Sequence, residues 1–165
     1  MNFRRFWILP FCILLCGFNF PNEKKFLSQK IENISVFDSK GNVFELFSLI
    51  GNKPLIISPV YTKCPSVCGI ISNGVQVVVN KLGSLGDDFN IVSFSFDSTD
   101  KVEDLAFYEN RWKMDGIHWK TISANAAQIK KLMHSIDYQY EYDSVTKEFN
   151  HPSILIVLTP SGKIS

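Results

Sequence analysis

Two cysteines stand four residues apart in the stretch YTKCPSVCGI, Tyr61 to Ile70, with a proline directly after the first. Thiols at the spacing of Cys64 and Cys68 allow three readings: a shared metal ion, a redox disulfide, or two buried thiols that sit close together. The remaining cysteines, Cys12 and Cys16, fall in the N-terminal segment. Where that segment sends the chain therefore bears on what the pair can do.

The chain opens MNFRRFWILPFCILLCGFNFPNEKKF. Arg4 and Arg5 precede an apolar run from Phe6 to Phe18, the shape of a secretory signal. The run is short for a membrane-spanning helix, which needs about 20 apolar residues, and Pro10 interrupts it. Cys16 after ILL is similar to a bacterial lipoprotein signal, although Leu15 stands where such signals prefer a small residue. Lipidation at Cys16, an uncleaved anchor and ordinary cleavage stay open. All three predict a domain outside the cytoplasm, and lipid at Cys16 or the apolar segment would hold it at the outer face of the cytoplasmic membrane. Residues 1–21 are read as the targeting segment or anchor, 22–33 as a linker, and 34–165 as the folded domain. In an oxidising compartment two cysteines at this spacing form a disulfide unless something reduces or ligates them.

A chain of 165 residues, 45% hydrophobic and 20% charged, supports one domain with a real core. The net charge is +1 with both signs interspersed, which excludes the basic stripe of a nucleic-acid binder.

The elements that must position the pair follow from periodicity. NISVFDSKGNVFELF reads as a hairpin turning at Asp38 to Gly41. Leu55 to Tyr61 reads as a buried strand, with Pro59 predicting a bulge or an early end. A helix is expected from Pro65 to about Leu82, its apolar face made by Val67, Ile70, Ile71, Val75, Val78 and Leu82. Pro65 suits the first helical position, which puts Cys64 at or beside the N-cap and both sulfurs on one helix face. The positive helix end and Lys63 favour a thiolate at Cys64. FNIVSFSFD is a strand, and Asp100 with Glu103 suggests the next helix start, running to about Trp112. HWKTIS is a short edge strand, Asn125 with Gln128 starts a helix to about His134, and YQYEYD is a strand or part of a loop. SILIVLT is a strand, turned by PSGK toward a partner at Ile164. The order is α/β with a hairpin in front.

CPSVC after a strand, SFSFD ending the next, the tryptophan of HWKTIS and NHPSILIVLTPSGKI near the end resemble the Sco/SenC family, copper-binding thioredoxin-like proteins of cytochrome c oxidase assembly. The resemblance runs from about Ile34 to Ser165. It implies a thioredoxin-like fold in which Cys64 and Cys68 match the family's copper-binding cysteines and His151 its histidine ligand. It also sets Asp97 close to the copper site as a secondary polar contributor. The partner it implies is the copper-site subunit of cytochrome c oxidase. Two thiolates and one imidazole form a soft set suited to Cu(I), and one added ligand suits Cu(II). Structural zinc would want four protein ligands.

There are departures from the family pattern. Gly69 follows the second cysteine where proline is common, FDSTDKVED shortens an acid-rich stretch, and TISAN replaces a Thr-Gly pair. On the resemblance, the C-terminal helix that usually closes the fold is missing after GKIS, so 34–165 is C-terminally incomplete. A thiol–disulfide oxidoreductase using the same cysteines on the oxidase subunit is the rival reading, and a redox or copper sensor a third. Dedicated dithiol reductases usually use C-x-x-C, which favours copper here. A lone histidine is more often a surface or capping residue, and His118 and His134 are assigned that ordinary role. Met133 is read as core, Met114 as a possible soft ligand, Tyr61 and Trp119 as packing, and Asp97 alternatively as a cap for the next helix.

Overall fold

The computed structural model describes residues 27–65 and 67–165; the segment expected to be a targeting signal, residues 1–21, lies outside them. Among the described residues no helix is long and apolar enough to cross a membrane.

β1 (Ser35–Asp38) and β2 (Val43–Glu45) form the expected hairpin, followed by a 3-10 turn at Leu46–Leu49. The Asp38 carboxylate accepts from the backbone N–H groups of Lys40 and Asn42 and from the Asn42 amide, while Gly41 takes φ +80°. A short acceptor side chain and a glycine with positive φ are what the turn requires. β3 (Leu55–Val60), β4 (Asn90–Ser95) and β5 (Trp119–Ser123) pair in parallel, with β1 added antiparallel beyond β5 and β8 (Ile156–Leu158) antiparallel beyond β3. The six-stranded order is β2-β1-β5-β4-β3-β8. β6 (Glu141–Asp143) and β7 (Glu148–Asn150) make a separate hairpin, so the second half of YQYEYD is the first arm of a pair and the first half is loop. The helices are α1 (Val67–Leu82), α2 (Val102–Arg111) and α3 (Ala126–Ser135).

Several expectations are corrected. β3 runs through Pro59, in register with Phe94, without a bulge or early end. The Val60 carbonyl accepts from Phe96 N on the β4 side, so the Pro59 nitrogen faces the opposite flank. There β8 pairs only with Leu55, Ile56 and Ile57, and no ladder bond is lost. β5 is interior, between β1 and β4, rather than an edge. α2 is not started by Asp100: Lys101 is its N-cap, and Asp104 accepts from the Lys101 N–H. α3 does start as expected, with Asn125 accepting from Gln128 N. Within the expected linker, Ile31 is buried, Lys30 bridges Lys163, and Ser28 N donates to the Ile164 carbonyl.

The inner face of α1 also differs. Ile70 is 73% exposed and Leu82 62%, with Val78 exposed as well. The buried line is Cys68, Ser72 and Val75, with Ile71 and Val79 packed half-covered behind it. The helix VCGIISNGVQVVVNKL is apolar almost all round, so helical spacing supports more than one face and packing chooses. The exposed side borders an open apolar groove of about 440 Å³ lined by Ile56, Ile71, Val78, Leu82, Leu155 and Val157. The main core lies on the other side of the sheet, where Leu55, Ile57, Phe94 and Leu158 meet Ile129, Leu132 and Met133 of α3.

This assignment is open to urea unfolding. Ile70→Ser should change stability by less than about 0.5 kcal/mol. Ile57→Ala should cost about 2–5 kcal/mol, as a buried aliphatic truncation. An equal cost for the two would return Ile70 to the buried face.

Candidate functional site

The cysteine loop hangs from the end of β3 and is held by one carboxylate. Asp100, whose side chain is inaccessible to solvent, accepts from Thr62 N at 3.0 Å, Thr62 Oγ1 at 2.7 Å and Ser95 Oγ at 2.6 Å. Lys63 Nζ lies 3.3 Å from Asp100 and 3.2 Å from Asp104. The Lys63 ammonium, expected to favour a thiolate, is thus neutralised by two carboxylates. A turn then closes with Cys64 N donating to the Tyr61 carbonyl at 3.1 Å.

Cys64 is not the helix N-cap. It sits in the turn three residues before Val67, while Cys68 is the second residue of α1. The two do not share a helix face; the turn brings them together. The Cys68 N–H, in the first turn of α1, donates to Cys64 Sγ at 3.4 Å, so the sulfur still meets the positive helix end. The Cys68 thiol lies within hydrogen-bonding reach of Cys64. Burial pushes Cys68 up to about 12, against the pull of backbone hydrogen bonding from Tyr61. Cys64 is half-buried and Cys68 fully buried. The pair is therefore asymmetric, with one half-buried cysteine and one sequestered thiol.

His151 follows β7 directly and enters an aromatic cluster. Its ring centroid is 5.2 Å from Phe96, 5.8 Å from Tyr61 and 6.3 Å from Tyr138. Nδ1 lies 2.9 Å from the Tyr138 hydroxyl and 3.1 Å from the Pro152 carbonyl. Phe96 is the hub, touching Tyr61, Tyr138, Tyr140 and Phe149 as well. Tyr61 links both halves: its ring packs on His151 edge-on, and its phenol bonds Cys64. Burial pushes that phenol up, and the Cys64 contact pushes in the same direction. Tyr61 was expected only to pack, and it does more.

The structure gathers these residues at one end of the sheet, but not as a finished cage. Among the described residues no three His, Cys, Asp or Glu side chains stand close enough to hold a metal. Asp97 accepts from Thr99 N at 2.8 Å and Thr99 Oγ1 at 2.7 Å. It closes a turn ahead of α2 without capping the helix, and its charge acts on Tyr140 of the aromatic cluster. Met114 accepts from Thr121 Oγ1 and packs with the core, while Met133 and Trp119 are buried. His118, exposed, bonds Asn90; His134 is exposed in the last turn of α3. Sequence reasoning missed Asp100 as a clamp, because Thr62, which gives it two of its hydrogen bonds, is 38 residues back. It also missed Tyr138 and Tyr140, although their alternation with Tyr142 is a legible one-face signal.

The family model described as SCO1/SenC matches residues 23–165. No curated protein matches the chain. Among solved structures, a proposed electron transfer protein from Aquifex aeolicus is 34% identical with a TM-score of 0.79, covering 84% of this chain and 82% of its own. ScoI of Bradyrhizobium japonicum, solved with copper bound, is 20% identical with a TM-score of 0.73 over 83% of this chain and 87% of its own. A SCO1/SenC family lipoprotein of Bacillus anthracis is 19% identical with a TM-score of 0.74, covering 84% and 83%. The fold is thioredoxin-like, as these structures are.

Three outcomes test the site. An alkylating agent on the reduced protein near neutral pH should label Cys64 well before Cys68, as mass mapping would read. Equal rates would contradict the asymmetry. Removing the clamp by Asp100→Ala leaves Thr62 and Lys63 without their buried acceptor and should cost about 3 kcal/mol or more in urea unfolding. The Cys68 thiol ionises at 9.0 without its surroundings and only near 12 when folded. Its contribution is full below about pH 9 and is lost as pH rises toward 12, because the unfolded chain releases the proton first. Unfolding midpoints of the reduced protein should fall over that window, and less steeply in Cys68→Ala.

Proposed function

The chain belongs to the SCO1/SenC family, and we propose that it binds one copper ion as cargo and delivers it to the copper-site subunit of cytochrome c oxidase during assembly. The observation that carries this reading is the convergence of two thiols in hydrogen-bonding reach with an imidazole held one aromatic ring away. Cys64 and Cys68 supply thiolates, and His151 supplies the imidazole. Copper-bound ScoI shares the fold and supports copper as the ion. Soft sulfur donors suit Cu(I), and an added nitrogen suits Cu(II). Because the three side chains are not preassembled, binding draws His151 toward the sulfurs. Asp97 is a secondary contributor, its charge acting on Tyr140 of the aromatic cluster. An N-terminal anchor, by lipid at Cys16 or by the apolar segment, keeps the domain at the outer membrane face beside its recipient; the lipoprotein relative supports that placement.

Binding must displace the Cys68 proton, which burial holds tightly. An oxidised pair cannot ligate copper, so loading is tied to the thiol–disulfide state. The same two sulfurs favour the rival reading, a thiol–disulfide oxidoreductase with Cys64 as the attacking sulfur. A disulfide switch is described for BsSco, a Sco-family oxidase assembly protein of the same fold.

Copper titration of the reduced protein decides between them. One copper should bind, and Cys64→Ala or Cys68→Ala should abolish tight binding. His151→Ala should weaken Cu(II) far more than Cu(I), since two thiolates alone hold Cu(I), while His118→Ala and His134→Ala should do little. Affinity should rise with pH by about tenfold per unit for each proton released. Rapid catalytic disulfide reduction, unaffected by copper and without copper transfer to a soluble oxidase copper-site domain, would favour the oxidoreductase instead.

A further inference from the structure

We propose that Tyr138 is a positioning residue for His151: its hydroxyl, together with the Pro152 carbonyl, holds the imidazole proton on Nδ1 and leaves Nε2 as the ligating atom. The inference rests on the copper reading for its purpose, but its geometry stands in the metal-free protein.

Three polar atoms form a closed triangle. Tyr138 Oη lies 2.9 Å from His151 Nδ1 and 3.0 Å from the Pro152 carbonyl oxygen, and Nδ1 lies 3.1 Å from that same oxygen. A carbonyl only accepts. With Nδ1 unprotonated, its lone pair would face the carbonyl lone pairs at 3.1 Å. With the proton on Nδ1, every contact is satisfied: Tyr138 O–H donates to Pro152, and Nδ1–H is held between two acceptor oxygens. The neutral ring then carries its lone pair on Nε2. Free histidine prefers the opposite tautomer, so the triangle does work that the ring alone does not. A ligating histidine whose second nitrogen donates to an oxygen is the common arrangement at metal sites.

Tyr138 is delivered to this position by the end of α3. Asp137 takes φ +51°, its N–H donates to the His134 carbonyl, and Tyr138 N–H donates to the Met133 carbonyl at 2.9 Å. Those two bonds form a Schellman motif, which fixes the Tyr138 backbone against a helix whose Met133 is core. The phenol is buried among Phe96, Tyr140 and His151. A tyrosine phenol is an O–H donor at neutral pH, so the hydroxyl can donate to the Pro152 carbonyl 3.0 Å away.

The test is long-range proton–nitrogen NMR of histidine-labelled, reduced, metal-free protein at a pH where imidazoles are neutral, with exposed His134 as the internal reference. Wild type should show His151 protonated at Nδ1 and bare at Nε2. Tyr138→Phe keeps the ring and loses the hydroxyl; it should move His151 toward the tautomer balance of His134. Its Cu(II) affinity should fall about 10- to 100-fold, the usual effect of removing such an outer partner. A wild-type ring protonated at Nε2, or an unchanged tautomer in Tyr138→Phe, overturns the proposal. If the variant does not fold, the wild-type tautomer alone decides. If the tautomer is as expected but wild type binds no copper, the positioning stands and the copper reading fails.

Discussion

The cysteine site depends on the Asp100 carboxylate. Thr62 and Lys63 have left the sheet and have no strand to pair with, and the buried Asp100 supplies what a neighbouring strand otherwise would. Ser95 at the end of β4 donates to the same carboxylate, so the ends of two adjacent strands are tied at one point. That tie works together with the turn bond from Cys64 N to the Tyr61 carbonyl and the bond from Cys68 N–H to Cys64 Sγ, which joins the turn to α1. A buried carboxylate with three donors and an ammonium is fully compensated, which is the condition for such a charge to be tolerated.

Topology brings the other half of the site to the same place. β8 is antiparallel to β3, with Ile156 opposite Ile57, so the loop entering β8 lies beside the loop leaving β3. His151 and Cys64, 87 positions apart in the chain (151 less 64), become neighbours of one tyrosine. The space between is filled by rings around Phe96 rather than by water-loving side chains. In such surroundings charge is costly, which is why the Cys68 thiol and the phenols of Tyr61 and Tyr138 all hold their protons more tightly. A soft cation that trades places with a thiol proton neutralises the thiolate it creates, and this makes an apolar wall compatible with a metal site.

The arrangement is also unfinished in a functional sense. Cys64 is reachable, Cys68 is not, and His151 is engaged by Tyr138 and Pro152. On the proposed copper reading, ligands that are not locked into one cage can be lost one at a time, as release of a cargo requires. The asymmetry of the two sulfurs suits stepwise transfer equally, whether the moving species is a metal or a disulfide.

Much of this was legible from residue types alone. The hairpin announced itself by alternation around Asp38 and Gly41, α3 by Asn125 and Gln128, and the candidate pair by two cysteines between a strand and a helix. These signals are local, set by backbone geometry within a few residues. The resemblance to a known family added His151, which no local pattern singles out. What the sequence could not decide were choices between locally equivalent options. α1 is apolar on nearly every side, and only contact with Ile56, Ile91 and Trp119 selected Val75 over Ile70 as buried. Asp100 matched a helix cap by spacing, but a carboxylate goes where unpaired donors are, and Thr62 and Ser95 were brought to it by the pairing of β3 with β4. Pro59 looked like a strand breaker until β8 proved too short to need its missing N–H. Local physics determined which elements form; the tertiary structure decided which of their groups find partners, because those partners are distant in the chain.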